Sequence, residues 1–310
     1  MIALFGSGFG IYGYLPALIG GCGQTVILPE RYRTKFMARP ELASFAADVE
    51  WAADDRLALA RASGAAYAVR PVDQQRLIPD CLALPAIERI LVEKPLAPTP
   101  EAAIQLLETL VRSRRAFRIG YTFAQTNWGK RLAAMLPKGG VKRLSIEWCF
   151  LADHFARDIR TWKRFHHEGG GAIRFYGIQL IALLAELGYR EAMTSETWGA
   201  HLDQPATWQA RLTGRQLPEC TVILKTRARA MFRVEVETEM GQAVSVAAQG
   251  GPFDDAARRA DGLDARVDVL TNICRDLLAG DGSSCDWYEA ALELWRKIEA
   301  INEFRLAALP

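Results

Sequence analysis

Apolar positions along the chain fall into two textures. In the first, short apolar runs alternate with longer segments of helical spacing. Ile2–Phe5 stops at Gly6 and Tyr14–Ile19 resumes an apolar face, which predicts a buried strand, a tight turn and a helix. Thr25–Leu28, Ala65–Val69, Ile87–Val92 and Phe117–Tyr121 repeat the short runs, so the pattern predicts a parallel sheet covered by helices. Thr99-Pro100-Glu101-Ala102 has the chemistry of a helix start. Thr99 caps, Pro100 takes the first position, and Glu101 sits at the positive end of the dipole of a helix running to about Ser113.

From Val141 the second texture begins. Leu144–Leu151 suits a strand, and within 221–246 Phe232, Val234, Val236 and Thr238 share one face while Arg233, Glu235, Glu237 and Glu239 share the other. Gly241 lies in a turn leading to Val244–Ala247, which predicts a hairpin in a mostly antiparallel sheet. Ala172–Leu187 reads as a strongly apolar helix, Trp287–Phe304 as an amphipathic one, and Gln249–Asp264 as loop.

Composition narrows the function classes. The 310 residues carry 38 basic and 36 acidic side chains, a formal charge of +2, with no long basic block, so nucleic acid is not an expected partner. Arg112, Arg114, Arg115 and Arg118 follow a helical segment and read as its solvated end. Six cysteines, at 22, 81, 149, 220, 274 and 285, show no Cys-x-x-Cys spacing and no histidine at metal-ligand distance. Buried thiols in a reducing compartment are expected, and no metal. Met1 leads directly into the first strand and no eighteen-residue apolar window occurs, so the expected location is cytoplasmic, without a membrane partner.

The first strand delivers Gly6-Ser7-Gly8-Phe9-Gly10-Ile11-Tyr12-Gly13, a run whose glycines permit a tight turn and close approach of backbone N–H groups to a pyrophosphate. Two registers compete. Gly8, Gly10 and Gly13 complete the Gly-x-Gly-x-x-Gly spacing, whereas Gly6, Gly8 and Ile11 place the first glycine at the strand end and put a β-branched residue where helix and sheet pack closely. Glu30, after the second apolar run, can accept from a ribose diol. Arg31 and Arg33 could instead hold a 2'-phosphate, so NAD and NADP both stay open; the three could also form a solvated loop. Glu93-Lys94-Pro95 closes a buried strand, where a lysine can hydrogen-bond a substrate and transfer a proton.

With these residues in place, Val92-Glu93-Lys94-Pro95-Leu96, about eighty residues after the glycine run, resembles a signature of the glucose-fructose oxidoreductase and inositol dehydrogenase family. The resemblance implies an α/β chain: a Rossmann-type dinucleotide-binding domain over 1–122, then an α+β domain over 123–310 with a mostly antiparallel open sheet. The second domain would bind substrate and carry oligomerisation, with the last helix packing back on the first. It also implies that Lys94 lies beside the nicotinamide and substrate. Residues Gly6 to Ile11, Glu30, Arg31, Arg70, Pro71, Glu93 and Lys94 would hold NAD or NADP. In the loop Arg70-Pro71-Val72-Asp73-Gln74-Gln75, Gln75 stands where the family has histidine.

Trp162-Lys163 and Gly169-Gly170-Gly171-Ala172 resemble the family's approach to its catalytic helix. Counted from those glycines, the family's aspartate and histidine fall on Phe175 and Gln179, four residues apart on one face, with Gly177 between them. Neither replacement titrates. The proton then falls to Lys94 or to a tyrosine, Tyr176 or Tyr121, with Gln179 orienting substrate. Trp162, His166, Arg174, Phe175, Tyr121 and Gln179 make the expected substrate surface. Arg174 would either clamp an anion or pack its stem, while His154, His166 and His167 lie in approaching segments. The expected function is an NAD(P)-dependent oxidoreductase acting on a small sugar-like, carbonyl or imine substrate, as a homo-dimer or homo-tetramer. The alternative is a lyase, cyclase or pseudoenzyme on the same scaffold.

Overall fold

The computed structural model describes residues 1–254, 261–280 and 286–307. The chain forms two compact units. The first comprises Met1–Leu96, Leu106–Thr122 and Ala256–Ser283, the second Ala97–Gln105, Phe123–Asp255 and Ser284–Pro310.

In the first unit six short strands, β1 (Ile2–Phe5), β2 (Val26–Pro29), β3 (Val49–Ala52), β4 (Gly64–Tyr67), β5 (Arg89–Val92) and β6 (Ala116–Ile119), form one sheet of order β3-β2-β1-β4-β5-β6. Every pairing is parallel. Winding reverses between β1 and β4, and in such sheets ligands lie outside the carboxyl ends of the strands at that reversal. Gly6 ends β1 there, and a Cβ on it would strike the Ala68 carbonyl just past β4. The helix Leu15–Cys22 buries Leu15, Ala17, Leu18 and Ile19 in a cluster shared with Val267, Leu270, Ile273, Cys274 and Leu277 of the helix Val267–Ala279. Thr99 caps the helix Pro100–Arg112 through the Ala102 N–H at 3.3 Å, as its sequence implies.

The second unit is built on seven strands: β7 (Val141–Leu151), β8 (Tyr189–Gly199), β9 (Thr207–Gly214), β10 (Glu219–Lys225), β11 (Arg227–Thr238), β12 (Ala243–Gln249) and β13 (Asn302–Leu306), in the order β12-β11-β7-β10-β9-β8-β13. Four pairings are antiparallel and two, β10 with β7 and β13 with β8, are parallel. Alternation sets the faces. Phe232, Val234 and Val236 of β11, Trp208, Ala210 and Leu212 of β9, and Cys220, Val222 and Leu224 of β10 are buried, while Arg233 and Arg211 are exposed. The hairpin β11–β12 forms with Gly241 at φ 76° in its turn.

Several expectations are corrected. The final helix stops at Ala300, because Asn302 leaves it to bridge Ser195 and Thr197 at 2.9 and 3.0 Å, seating β13 beside β8. That helix, Asp286–Ala300, lies in the second unit against Ile178–Glu186 and β8, where Ala291, Leu292, Trp295 and Ile298 are buried. The helix that returns to the first unit is the one before it, Val267–Ala279. The strand β3 has no counterpart in the apolar runs, since only its end residues Val49 and Ala52 are buried. Of the loop expected over Gln249–Asp264, residues 255–260 lie outside the described residues, as does Cys285; Cys22 is half-buried and the other four cysteines are buried thiols.

Candidate functional site

The glycine turn at the reversal is shaped by Gly6, whose φ of 132° is closed to residues with a side chain. Its N–H donates to the Tyr32 hydroxyl at 3.2 Å, and Tyr32 also accepts from Arg31 at 3.0 Å. Helical winding starts at Phe9, and its first residues, Gly10–Tyr14, form a π-helical turn. Ile11 lies within this turn. It is fully buried in the core cluster, and the wide turn carries it there. Gly13 makes room for the Phe9 ring, against which a Cβ would stand at 2.5 Å. Gly8 is exposed with nothing within 4 Å of its Cβ position, and the first N–H groups of a helix have no intrahelical acceptor. An anionic pyrophosphate fits this open turn.

Beyond it, the residues expected at the ribose are held in exposed ion pairs. Arg33 forks onto Glu30, at 2.5 and 2.9 Å, and lies over the Trp51 ring; Arg31 forks onto Asp55 and lies over Tyr32. The Arg33 hydrogen bond keeps the Glu30 carboxyl below its ordinary range. Nearer the turn, Lys35 donates to Ser7 Oγ at 3.1 Å beside an open cleft of about 530 Å³ lined by Ser7, Lys35, Ala38, Arg39 and Glu41.

At the end of β5 the Lys94–Pro95 peptide is cis, and the turn is held from outside. Gln74 Nε2 donates to the carbonyls of Glu93 at 2.9 Å, Pro95 at 2.9 Å and Leu96 at 3.3 Å. In the helix Pro71–Leu82 the buried positions are Pro71, Gln74, Ile78 and Cys81, so the period of that helix directs Gln74 inward. Gln75, one residue on, is exposed. Arg70 is exposed and paired with Asp73 at 3.0 Å. Tyr14, fully buried, donates to Glu93 Oε2 at 2.6 Å. Burial pushes the Glu93 carboxyl up; the Lys94 charge, then the Tyr14 hydrogen bond, oppose it. Tyr121 is buried at the end of the neighbouring strand β6.

In the second unit, the helix from Ala172 also opens with a π-helical turn, Ala172–Gly177, before Ile178–Glu186. Gly171, at φ 78°, precedes it, and Gly177 lets the helix approach the Trp208 ring, 2.9 Å from its Cβ position. Phe175 meets the Trp162 ring edge-on at 5.1 Å and lies under the Lys163 ammonium at 5.2 Å. Tyr176 packs on Trp148, Phe150 and Phe175, with its hydroxyl 3.4 Å from His154 Nδ1; burial raises its pKa. Gln179 is 6% exposed on this helix.

Arg174 is engaged within the second unit. Its guanidinium forks onto Glu299 at 2.8 and 2.5 Å and donates to the carbonyls of Pro98 and His166 at 3.0 and 2.9 Å. With these partners and 8% exposure it joins parts of the second unit. Burial, then the Arg174 charge, presses His166 down to about 4; burial, then Arg164, does the same to His154. Both are therefore neutral near pH 7. His167 is exposed and bonded to Asp203 at 2.7 Å. Among the described residues no cluster of histidine, cysteine or carboxylate side chains could hold a metal ion.

No protein-family model matches the chain, and no curated protein matches it either. Its fold is similar to solved structures that share little of its sequence. One is KijD10, a 3-ketoreductase from Actinomadura kijaniata in complex with NADP and TDP-benzene, at 14% identity and TM-score 0.72 over 99% of both chains. Another is the WlbA dehydrogenase from Thermus thermophilus in complex with NAD and UDP-GlcNAcA, at 18% identity and TM-score 0.70 over 99% of this chain and 96% of that one. A third is GenD2 from gentamicin A biosynthesis in complex with NAD, at 17% identity and TM-score 0.74 over 96% of this chain and 93% of that one. These likenesses establish the architecture: a doubly wound parallel sheet joined to a unit built on an open mixed sheet.

Proposed function

We propose that the chain is an NAD(P)-dependent oxidoreductase that moves a hydride between nicotinamide and the carbonyl or imine carbon of a small sugar-like substrate. The observation that carries the reading is the Lys94 turn, clamped by Gln74 through three carbonyls on the same sheet whose winding reversal presents an open glycine turn. Proteins of similar fold were crystallised with NAD or NADP, and two of them with a nucleotide-linked ligand, which supports both the cofactor and the substrate class.

The dinucleotide, when bound, supplies or accepts the hydride. Gly6 to Ile11 receive the pyrophosphate, Glu30, Arg31 and Lys35 border the adenosine ribose, and Arg70, Pro71 and Glu93 lie toward the nicotinamide. In the reducing direction the Lys94 ammonium gives one proton to the substrate oxygen or nitrogen as the neighbouring carbon gains the hydride; in the oxidising direction it takes that proton back. Gln179 holds the substrate oxygen without exchanging a proton. Tyr176 is the second proton carrier, and Trp162 and Phe175 offer aromatic faces to a sugar ring. Arg174 acts only by holding the helix that bears them. The outer face of the seven-stranded sheet pairs two copies of the chain, and the protein works in the cytoplasm. Among the described residues no helix is long and apolar enough to cross a membrane.

Calorimetry with NAD, NADH, NADP and NADPH tests the cofactor reading. At least one should bind below about 1 mM, roughly 4 kcal/mol; binding of none ends it. A second reading, lyase or cyclase chemistry on this scaffold, is favoured by Phe175 and Gln179, which cannot titrate, and by two neighbouring histidines held neutral. Turnover without any change in nicotinamide absorbance would select it.

A further inference from the structure

The geometry around the first unit's lysine turn contains a polar contact that the reading above leaves unused. Tyr14 reaches from the π-helical turn after β1 to the end of β5, and its hydroxyl donates to Glu93 Oε2 at 2.6 Å. A hydrogen bond this short from a neutral donor to a carboxylate is of the charge-assisted kind. Gly120, just beyond β6, leaves the corner to these two groups, since a Cβ there would strike both the tyrosine oxygen and the Glu93 carboxylate. Three strand ends, β1, β5 and β6, thus converge on one hydroxyl–carboxylate contact next to Lys94.

We propose that Tyr14 and Glu93 are a positioning pair for Lys94: the tyrosine keeps the carboxylate ionised, and the carboxylate keeps the lysine as its ammonium until a substrate atom accepts the proton. The inference rests on Lys94 being the proton carrier. Around Glu93 the charged and titratable groups are Lys94 on its own turn, Tyr14 from the first helix and Arg266 from the segment before Val267–Ala279; Tyr14 also faces Cys274 of that helix. Arg266 is itself forked onto Asp264 at 2.7 and 2.8 Å and lies over the Phe9 ring. Burial, then the Glu93 charge, pushes the Tyr14 hydroxyl well up, so it stays a donor across the working range. Losing that donor makes Glu93 easier to protonate, and a protonated Glu93 no longer favours a charged lysine. The Lys94 pKa then falls, and a reduction that needs the ammonium loses activity at lower pH.

The test reads Lys94 without turnover. The protein is dimethylated on its lysines with ¹³C-formaldehyde, and the Lys94 resonance is identified by its absence in Lys94→Arg. In Tyr14→Phe its titration midpoint should fall by about one pH unit, and in Glu93→Gln by about one to two, the scale of a close carboxylate. Glu93→Gln keeps the shape of the corner and decides the matter if Tyr14→Phe does not fold. A midpoint that stays in place in Glu93→Gln overturns the proposal and leaves the contact as a tie between helix and strand. Because the measurement needs no substrate, it stands apart from failure of the reading of Lys94 as proton carrier, which would appear as full turnover in a Lys94→Met variant.

Discussion

The turn after β5 and the helix starting at Ala172 both carry polar side chains and use them in opposite ways. At the turn, the backbone carbonyls are taken up by an amide from another helix, Gln74, and the Glu93 carboxylate by a hydroxyl from a third element. Lys94 thus stands beside a carboxylate, on a turn three of whose carbonyls are taken up by Gln74. At the helix, Arg174 is spent on Glu299 and on two carbonyls, and the adjacent histidines are held neutral. A polar residue near a candidate site can serve chemistry only when the backbone around it is satisfied by something else.

The sharpest break of this contrast is Lys94→Met. Turnover should fall by about 10² to 10⁴, the worth of general acid–base participation, with dinucleotide affinity within a few-fold. Full activity would move the proton carrier to Tyr176 and reverse the contrast. Next is Arg174→Met, which takes the guanidinium from a largely buried Glu299 that keeps the Trp295 N–H at 2.6 Å. Denaturant unfolding should show a loss of about 3 to 5 kcal/mol, and a change below 1 kcal/mol would mean the fork is dispensable. Gln74→Leu should cost about 1 to 3 kcal/mol and lower turnover with little effect on substrate KM, since it loosens the turn without touching the ligand.

Acid sharpens the comparison from the other side. His154 and His166 have folded-state pKa values near 4, below the ordinary 6.5, so the unfolded chain binds their protons first. Stability should be intact above about pH 6.5, decline as the pH falls and level off below about pH 4. Replacing both with glutamine should flatten that slope in thermal melts between pH 4 and 6.5, and an unchanged slope would place the acid sensitivity elsewhere. The smallest effect is expected for Glu30→Ala, which shifts the ratio of NAD to NADP affinity by a few-fold and leaves the unfolding midpoint where it was, because its ion pair is exposed. An unchanged ratio removes Glu30 from the ribose.

What could be read from the chain followed the strength of local periodicity. Short apolar runs located five of the six parallel strands, and the helix start at Thr99 was fully specified by its own residues. Partners brought together by distant parts of the chain were not legible: Tyr14 with Glu93, and Arg174 with Glu299, are 79 and 125 residues apart. Gln74 lay between these cases. The segment Arg70–Gln75 reads as a loop by its resemblance, whereas the helical spacing from Pro71 puts Gln74 on the buried face. The two π-helical turns left no signal in the apolar pattern, and each displaces by part of a turn the residues counted through it.

The return of Val267–Ala279 to the first unit bears on how this chain can be cut or recombined. Leu15 and Leu18 share their cluster with Leu270, Ile273 and Leu277, residues translated some 250 positions later. A gene fragment ending at residue 122 would encode all six parallel strands and yet expose that apolar face, so it should be insoluble when expressed alone. The six-stranded half is consequently not a portable cassette. A fusion or domain exchange that transplants it must carry the late helix along, as a covalent extension or a co-expressed peptide.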